Sequence, residues 1–441
     1  MSRSRRSLGW IIAVAMLPGC STDMPEGAVT RFMGGAPKAE VPTAEPAVAA
    51  VRRGSEVKGA EGSAIIGALQ ARPSVLLSGT PYSRVADAVI ASDARVAEAD
   101  LRVAQMRAQA AKYNWMPRIG PRVSLTSLGD FVADLVINQV LFDNGRKIAE
   151  RDLAKANVEI AAVTLVEDGN KRVYDALSLY LKAEENREIS AHLERTLQDM
   201  AHFEWVMQER VNGGVSDMSD LNVLQQKLAA MRARSGEARE ATGTAMAELN
   251  AMSARPLSDL RGIGGLKTVP AAEALGVIRA RAERERTLAE ARIARASHLP
   301  GLAANADSNG NYGVEVTTDQ LFSVGNIAEF KAIEAVREGA DRRVAEAREV
   351  ADRRVEAQLR QSEAFQRQAT EAATLTARAK QNLDLFRAQY EGGQRQVTDV
   401  VSTYETYAQA LETEIELKYK AARAELELAR LKGALAEGAS I

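Results

Sequence analysis

The features found between residues 82 and 254 return, in the same order, between residues 271 and 437. In each half a run of helical composition stops near a proline, Pro117 in the first and Pro300 in the second. A stretch of period-two alternation follows, then a very long helical run, a Gly-Gly turn and another helix. The motif Leu141-Phe142-Asp143-Asn144-Gly145-Arg146 returns 180 residues later as Leu321-Phe322-Ser323-Val324-Gly325-Asn326. Gly213-Gly214 returns as Gly392-Gly393, and Ser219-Asp220-Leu221 as Thr398-Asp399-Val400, both at an offset of 179. Ordered echoes at one spacing mean that a single supersecondary unit is used twice.

The alternating stretches predict β-hairpins at 118–142 and 301–322. In the first, Ile119, Val123 and Leu125 share one parity, with Arg118, Arg122, Ser124 and Thr126 on the other. After a turn near residues 127–130, Phe131, Ala133, Leu135, Ile137 and Leu141 form one face, with Asp134 and Asn138 opposite. In the second, Leu302, Ala304 and Ala306 oppose Asn305 and Asp307. Asn309-Gly310-Asn311 supplies the turn, and Tyr312, Val314 and Val316 oppose Glu315, Thr317 and Asp319. Period two is the strand signature, and a strand with one apolar and one polar face separates two environments.

The helices are predicted from composition and periodicity. From Gly145 to Asn212 the helical run is broken only by Gly169, contains no proline, and would extend roughly 100 Å at 1.5 Å per residue. Ile189, Leu193, Leu197, Met200, Phe203, Met207 and Val211 recur at spacings of three and four. That stripe is too narrow for a globular core and suits lateral packing against similar helices, as in a coiled coil. A second helix of about 66 residues is predicted to end at Glu391. The tip turns fall at 212–220 and 391–399, and residues 255–270, with two prolines and three glycines, read as a connecting loop. After residue 20 no 18-residue apolar stretch occurs, so any membrane span must be made by strands.

Strands in lipid must have every edge paired, and closed membrane barrels need about eight or more. Four strands per chain cannot close. Three chains would supply twelve.

The beginning of the chain sets the compartment. Arg3, Arg5 and Arg6 precede an apolar run at 8–17, the layout of a secretory signal peptide, here 1–19. The run ends Leu17-Pro18-Gly19-Cys20, which resembles a bacterial lipobox and makes Cys20 the lipidated first mature residue. Cys20 is the only cysteine, which excludes an intrachain disulfide or a thiolate metal site. Residues 20–81, rich in Ala, Pro, Gly and Glu, read as an extended tether. Without the three signal-peptide arginines the chain carries 54 basic and 59 acidic residues, a near-balance that gives no electrostatic case for nucleic acid.

From 82 to 437 the sequence resembles the TolC family of outer-membrane exit ducts. The resemblance is carried by Gln139-Val140-Leu141-Phe142-Asp143-Asn144-Gly145-Arg146 and by the two glycine turns. These are Arg210-Val211-Asn212-Gly213-Gly214-Val215-Ser216 through Asp220-Leu221, and Tyr390-Glu391-Gly392-Gly393-Gln394-Arg395 through Asp399-Val400. It implies a mainly α, two-repeat protomer with a small β part. Its long coiled-coil helices form an α-helical barrel, and its four strands join a trimeric twelve-strand transmembrane β-barrel. It also implies a homotrimer in the outer-membrane lipid that works with a periplasmic adaptor and an inner-membrane transporter. Cargo would leave by small-molecule efflux or type I protein secretion. In the family the tips, here Gly213, Gly214, Val215, Gly392 and Gly393, dock the adaptor. Tyr390, Arg395, Ser219 and Asp220 would hold a periplasmic gate shut, with Asp399 forming an acidic ring. The family's second acidic position falls on Ser402. The same turn residues also suit plain helix starts, where Asp220 and Asp399 favour the positive end of the dipole. Asp134, Asn138, Glu315 and Asp319 would face the barrel lumen.

No catalytic constellation, cofactor motif or metal-ligand spacing stands out, and the chain is read as a non-enzyme without cofactors. His192, His202 and His298 are scattered and expected at the surface. A rival of another class is a periplasmic coiled-coil scaffold lipoprotein with no pore.

The lipobox yields the first expected outcome. Labelled palmitate should enter the wild-type protein, and Cys20→Ser should abolish labelling and delay signal processing. A wild-type protein that never takes up label removes the lipid anchor.

Overall fold

The computed structural model describes residues 63–438 except 93–95, 128–129, 269–271 and 319–325. The signal segment, Cys20, Asp319 and residues 321–325 of the second Leu-Phe motif lie outside the described residues. Three helices open the described chain: α1 (Ala64–Gln70), α2 (Pro81–Ile90) and α3 (Val96–Lys112). A hairpin of β1 (Arg118–Ser127) and β2 (Asp130–Phe142) leads into α4 (Arg146–Asn212) and α5 (Met218–Met252). The second half repeats the order with α6 (Leu275–Ser297), β3 (Gly301–Asp307), β4 (Tyr312–Thr317), α7 (Asn326–Glu391) and α8 (Val397–Leu431). α4 and α7 run 67 and 66 residues.

The two hairpins join into one antiparallel sheet in the order β1-β2-β3-β4. The register pairs Arg122 with Asp134, Asn138 with Asn305 and Ala303 with Glu315. The helices joined to the strands lie side by side in the matching order α3, α4, α6, α7. α4 and α7 turn back at their far ends to pack along α5 and α8.

Three clusters of core hold the helices together, one of them joining α1, α3, α4 and α6 through Leu101, Val163 and Ile278. Mid-length, Val173, Leu177, Tyr180 and Leu181 of α4 meet Val85 and Val89 of α2, Leu249 of α5 and Ile415 and Tyr419 of α8. Nearer the tips, Met200, Phe203 and Met207 of α4 meet Leu221, Leu224 and Leu228 of α5, Leu383 of α7 and Val397, Val400 and Tyr404 of α8. Members of the predicted stripe (Leu193, Met200, Phe203 and Met207) are buried. Where neighbours approach closely α4 presents small residues: Ala149, Ala156, Ala162, Ala176 and Ala183 are buried.

Five expectations need correction. The tether does not extend to residue 81: Ser63 caps α1, its Oγ accepting from Ile66 N at 3.3 Å and donating to Glu159 at 2.6 Å. Ile66 and Leu69 pack into the cluster of Val158, Ala162 and Leu275. Seven residues are too few to form a helix by propensity, so α1 owes its order to that packing. The run of helical composition that stops at Pro117 is not one helix but is divided into α2 and α3. α6 starts at Leu275 rather than at 271.

Gly169, read as an interruption, lies inside an unbroken α4. A Cβ there would sit 3.6 Å from that of Ala436. Next to it the buried Asn170 side chain accepts from Leu435 N at 2.8 Å and Ala436 N at 3.3 Å, while its amide donates to Val166 O at 2.8 Å. The C-terminal segment thus docks on α4. Residues 72–75 grip it from the other side: Arg72 donates to Lys432 O at 2.8 Å, and Val75 N to Ala434 O at 2.9 Å. Finally, His192 and His298 are buried, with only His202 exposed. His192 meets Tyr407 edge-on at 5.7 Å, and burial holds its pKa below the ordinary histidine value. His298 packs on Phe330 and pairs with Glu329 at 3.2 Å.

Asn170→Ala would leave two buried N–H groups without an acceptor. It should destabilise the protein by about 2–4 kcal/mol and open residues 432–438 to limited proteolysis. An unchanged melting temperature and cleavage pattern would remove the clasp from the account.

Candidate functional site

The sheet separates two chemistries. On one face Ile119 and Val123 of β1, Leu135 of β2, and Tyr312, Val314 and Val316 of β4 are all exposed. Val314 is 64% exposed and Val316 67%. A contiguous apolar face of this kind is uncommon on a protein in water.

The opposite face is a polar network spanning all four strands. Arg122 of β1 lies 4.0 Å from Asp134 of β2 and 3.8 Å from Asp307 of β3. Asn138 donates to Asn305 at 2.6 Å, and Asn305 to Glu315 of β4 at 2.9 Å. Asn309, in the second hairpin's turn, donates to Asp134 at 2.6 Å. Asp134, Asn138 and Glu315 are therefore gathered on one face. The bonds that link them across the hairpins, through Arg122, Asn305, Asp307 and Asn309, were not evident in the sequence. Alternation gives each strand's polar parity but not the β2–β3 register that brings the two hairpins together.

The strand-to-helix joint is also built from short-range chemistry. Asn144 and Gly145 both take positive φ, 53° and 82°. Asp143 accepts from Gly145 N at 3.1 Å and Lys147 N at 2.7 Å, closing the first turn of α4. Asn144 donates to Pro300 O at 2.9 Å, tying the joint to the second hairpin.

The two tip turns have one backbone design. Gly213 N bonds Glu209 O, Gly214 N bonds Val211 O and Val215 N bonds Arg210 O; Gly392, Gly393 and Gln394 repeat this with Ala388, Tyr390 and Gln389. The second glycine of each pair is left-handed, φ 71° at Gly214 and 75° at Gly393, where a side chain would be strained.

Side chains then differentiate the turns. Arg395 donates to Gln389 at 3.1 Å, sits 4.4 Å from the Phe386 ring centre and lies 3.9 Å from Asp399. Within one protomer Arg395 thus folds back on its own turn rather than onto Ser219 or Asp220. Asp399 closes a capping box with Gln396 at the start of α8. Tyr390 packs edge-on against Phe203 at 5.5 Å. Burial, with Asp199 adding to it, pushes the nearby Tyr404 hydroxyl up to about 12. Val215 and Met218 are exposed at the first tip. Sequence reasoning missed Phe386 and Gln389; their spacing of nine and six residues before Arg395 gives no signal without the turn geometry.

Among the described residues no helix is long and apolar enough to cross a membrane. None of their His, Cys, Asp and Glu side chains cluster in threes that could hold a metal ion.

No protein-family description and no curated protein sequence matches the chain. Solved structures do. A membrane protein from Pseudomonas aeruginosa aligns with a TM-score of 0.71 at 15% identity, covering 81% of this chain and 91% of its own. The CmeC outer membrane channel of Campylobacter jejuni aligns at 0.69 and 12% identity, covering 90% and 94%. The outer membrane protein VceC of Vibrio cholerae aligns at 0.67 and 15%, covering 80% and 96%. The chain has the TolC-type channel fold. These alignments span nearly the whole of each solved chain.

The two faces of the sheet give an expected outcome. Val314→Arg should cost roughly 2–4 kcal/mol if the apolar face meets hydrocarbon near the midplane, and should block outer-membrane assembly. Glu315→Arg should assemble and shift ion selectivity towards anions. Equal assembly of both variants, scored by heat-modified gel mobility, would contradict the facing.

Proposed function

We propose that the chain is one protomer of a homotrimeric, outer-membrane exit duct that conducts cargo passively and has no chemistry of its own. The observation that carries this reading is the four-stranded sheet. It is apolar and exposed on one face, polar and bonded on the other, and its outer strands β1 and β4 have no partner among the described residues. Hydrocarbon tolerates such a sheet only when its edges are paired, and three copies joined β4 to β1 would close twelve strands. The apolar face would meet lipid, and Asp134, Asn138 and Glu315 would line the lumen, with Asp319 beside them. Cys20 would anchor the chain to the outer membrane. The long helices would continue the barrel as a periplasmic tunnel.

At the tunnel's far end, the tips at Gly213, Gly214, Val215, Gly392 and Gly393 would receive a periplasmic adaptor, itself bound to an inner-membrane transporter. The route would serve small-molecule efflux or type I secretion. Tyr390, Arg395, Ser219, Asp220 and Asp399 would form the gate. Because Arg395 is held in its own turn within a protomer, a link to Ser219 or Asp220 would have to form between protomers. Such an exposed contact contributes only about 1 kcal/mol, yet threefold repetition would favour closure by a few kcal/mol in total. An adaptor that binds the open tips better could supply that difference.

Planar-bilayer conductance of the purified protein tests the reading, and a protein that forms no channel returns it to a pore-free scaffold. Tyr390→Phe with Arg395→Ser should leave folding intact and raise single-channel conductance severalfold. A double variant that conducts like wild type would place closure elsewhere. Asp399→Ala tests the acidic ring separately: three carboxylates near one axis attract divalent cations, so this variant should weaken divalent block without opening the gate.

A further inference from the structure

We propose that a cleft between the end of α3 and the start of α4 binds the phosphodiester headgroup of an anionic phospholipid in the periplasmic leaflet. The inference rests on the channel reading, because it places this joint at the membrane surface. The cleft has a volume of about 310 Å³ and is lined by Ala108 and Lys112 of α3 and by Ile148, Arg151, Asp152 and Lys155 of α4. Three of these six side chains are cationic. Lys112 and Lys155 make no ion pair or hydrogen bond among the described residues, and Arg151 makes only a long contact of 3.4 Å to Lys147 O. Of the acidic groups nearby, Asp152 in the cleft wall pairs with Arg292 at 3.1 Å, and Glu159, one turn further on, accepts from Ser63 at 2.6 Å while also feeling the charge of Lys155.

The cleft's position points to lipid rather than to the lumen. A second cleft at the same joint is lined by Arg118, Val140, Ala303 and Thr317, all on the sheet's polar face, together with Arg146, Lys147 and Glu150 of α4. At 3.6 residues per turn, Ile148 and Lys155 lie on roughly the opposite side of α4 from Arg146 and Glu150, with Arg151 at the flank beside Lys147. The basic cleft therefore opens on the side of the sheet's apolar face. Between that face and the cleft stands a rim of exposed apolar side chains: Tyr113 at 65%, Trp115 at 58% and Ile148 at 56%. Gln139 donates to Trp115 O at 2.9 Å and Asn114 to Lys147 O at 2.9 Å, which fix the rim to β2 and α4. Exposed aromatics with cations just beyond them match the boundary of a bilayer, where rings sit at headgroup level and basic side chains meet phosphates. A lipid here would lay its acyl chains along the sheet and its phosphate between Lys112, Arg151 and Lys155.

Trp115 serves as the reporter. Trp10 leaves with the signal segment, so the processed protein with Trp205→Phe would keep Trp115 as its one tryptophan. This protein is placed in vesicles of phosphatidylcholine containing a fraction of acyl-brominated phosphatidylglycerol or of acyl-brominated phosphatidylcholine. Bromine should quench Trp115 in both, and the glycerol lipid should associate about fivefold or more strongly, the factor that one basic residue gives near an anionic surface. Lys112→Gln with Arg151→Gln and Lys155→Gln should erase that preference while quenching by the choline lipid persists, which also shows the variant folded and inserted. Equal association of the two lipids in the wild type would overturn the site, as would loss of the preference in millimolar inorganic phosphate. A Val314→Trp probe in the Trp115→Phe background separates the two readings. If it is quenched while Trp115 is not, the headgroup site fails and the barrel stands; if neither is quenched, the barrel reading fails and the site with it.

Discussion

A strand edge in hydrocarbon leaves N–H and C=O groups with nothing to bond, at a cost of several kcal/mol for each group. On the proposed reading, much of this chain's architecture follows from meeting that demand with only four strands. The pairing of β2 with β3 joins the two hairpins into one sheet, so each protomer brings two edges to close instead of four. The bonds from Asn138 to Asn305 and from Asn309 to Asp134 lie along that seam. They fix the register between halves of the chain more than 160 residues apart. A one-residue slip there would turn Asn305 and Asp307 towards the apolar side and Ala304 and Ala306 inward.

The helices inherit the order of the strands but not their spacing. Each of α3, α4, α6 and α7 is joined to one strand and lies in the same order. Neighbouring strands are about 4.8 Å apart, whereas packed helices need 8–10 Å. The sheet must therefore tilt and twist while its helices pack as closely as side chains allow. The run of buried alanines on α4 is the response to this mismatch, since Ala permits the close end of that range. His192 and His298 are buried by particular neighbours that the sequence does not show: Tyr407 of α8 against the first, and Phe330 and Glu329 of α7 against the second.

What was legible in the sequence had a local cause. The hairpins announced themselves by alternation, the tips by glycines in left-handed turns, and α4 and α7 by long stretches without breakers. These signals act within a few residues and survive without knowledge of the partner. What was not legible depended on distant contacts. α1 is held by the cluster with Val158 and Leu275, and Ser63 and Glu159 meet across 96 positions. Gly169 looked like a weak point because the sequence could not show Ala436 lying against it. The lumen positions Asp134, Asn138 and Glu315 were readable by parity, while their shared network was not. The tip residues sit between these cases: the turns were legible, but the partners of Arg395 depended on how Phe386 and Gln389 come round beneath it.

The two tips share a backbone and differ in where they carry their arginine. Arg210 and Gln389 stand at equivalent positions before the glycines, as do Ser216 and Arg395 after them. In the first turn Arg210 donates to Ser216 at 3.1 Å; in the second Arg395 donates to Gln389 at 3.1 Å. The bond is kept and its direction reversed. The reversal matters electrostatically. Arg210 lies in the last turn of α4, where the negative end of the dipole favours a cation. Arg395 lies just before α8, where the positive end disfavours one, and Asp399 and the Phe386 ring have to compensate. Those contacts are exposed and individually small, roughly 0.5–1 kcal/mol for a cation over a ring. Arg395 is thus a cation held by weak partners at an unfavourable helix end, and exchanging them for an acidic group on a neighbouring protomer would cost little. Arg210 has no such freedom. An element that must choose between two sets of contacts of similar energy belongs at the second turn, which is where the proposed gate draws Tyr390, Arg395 and Asp399 together.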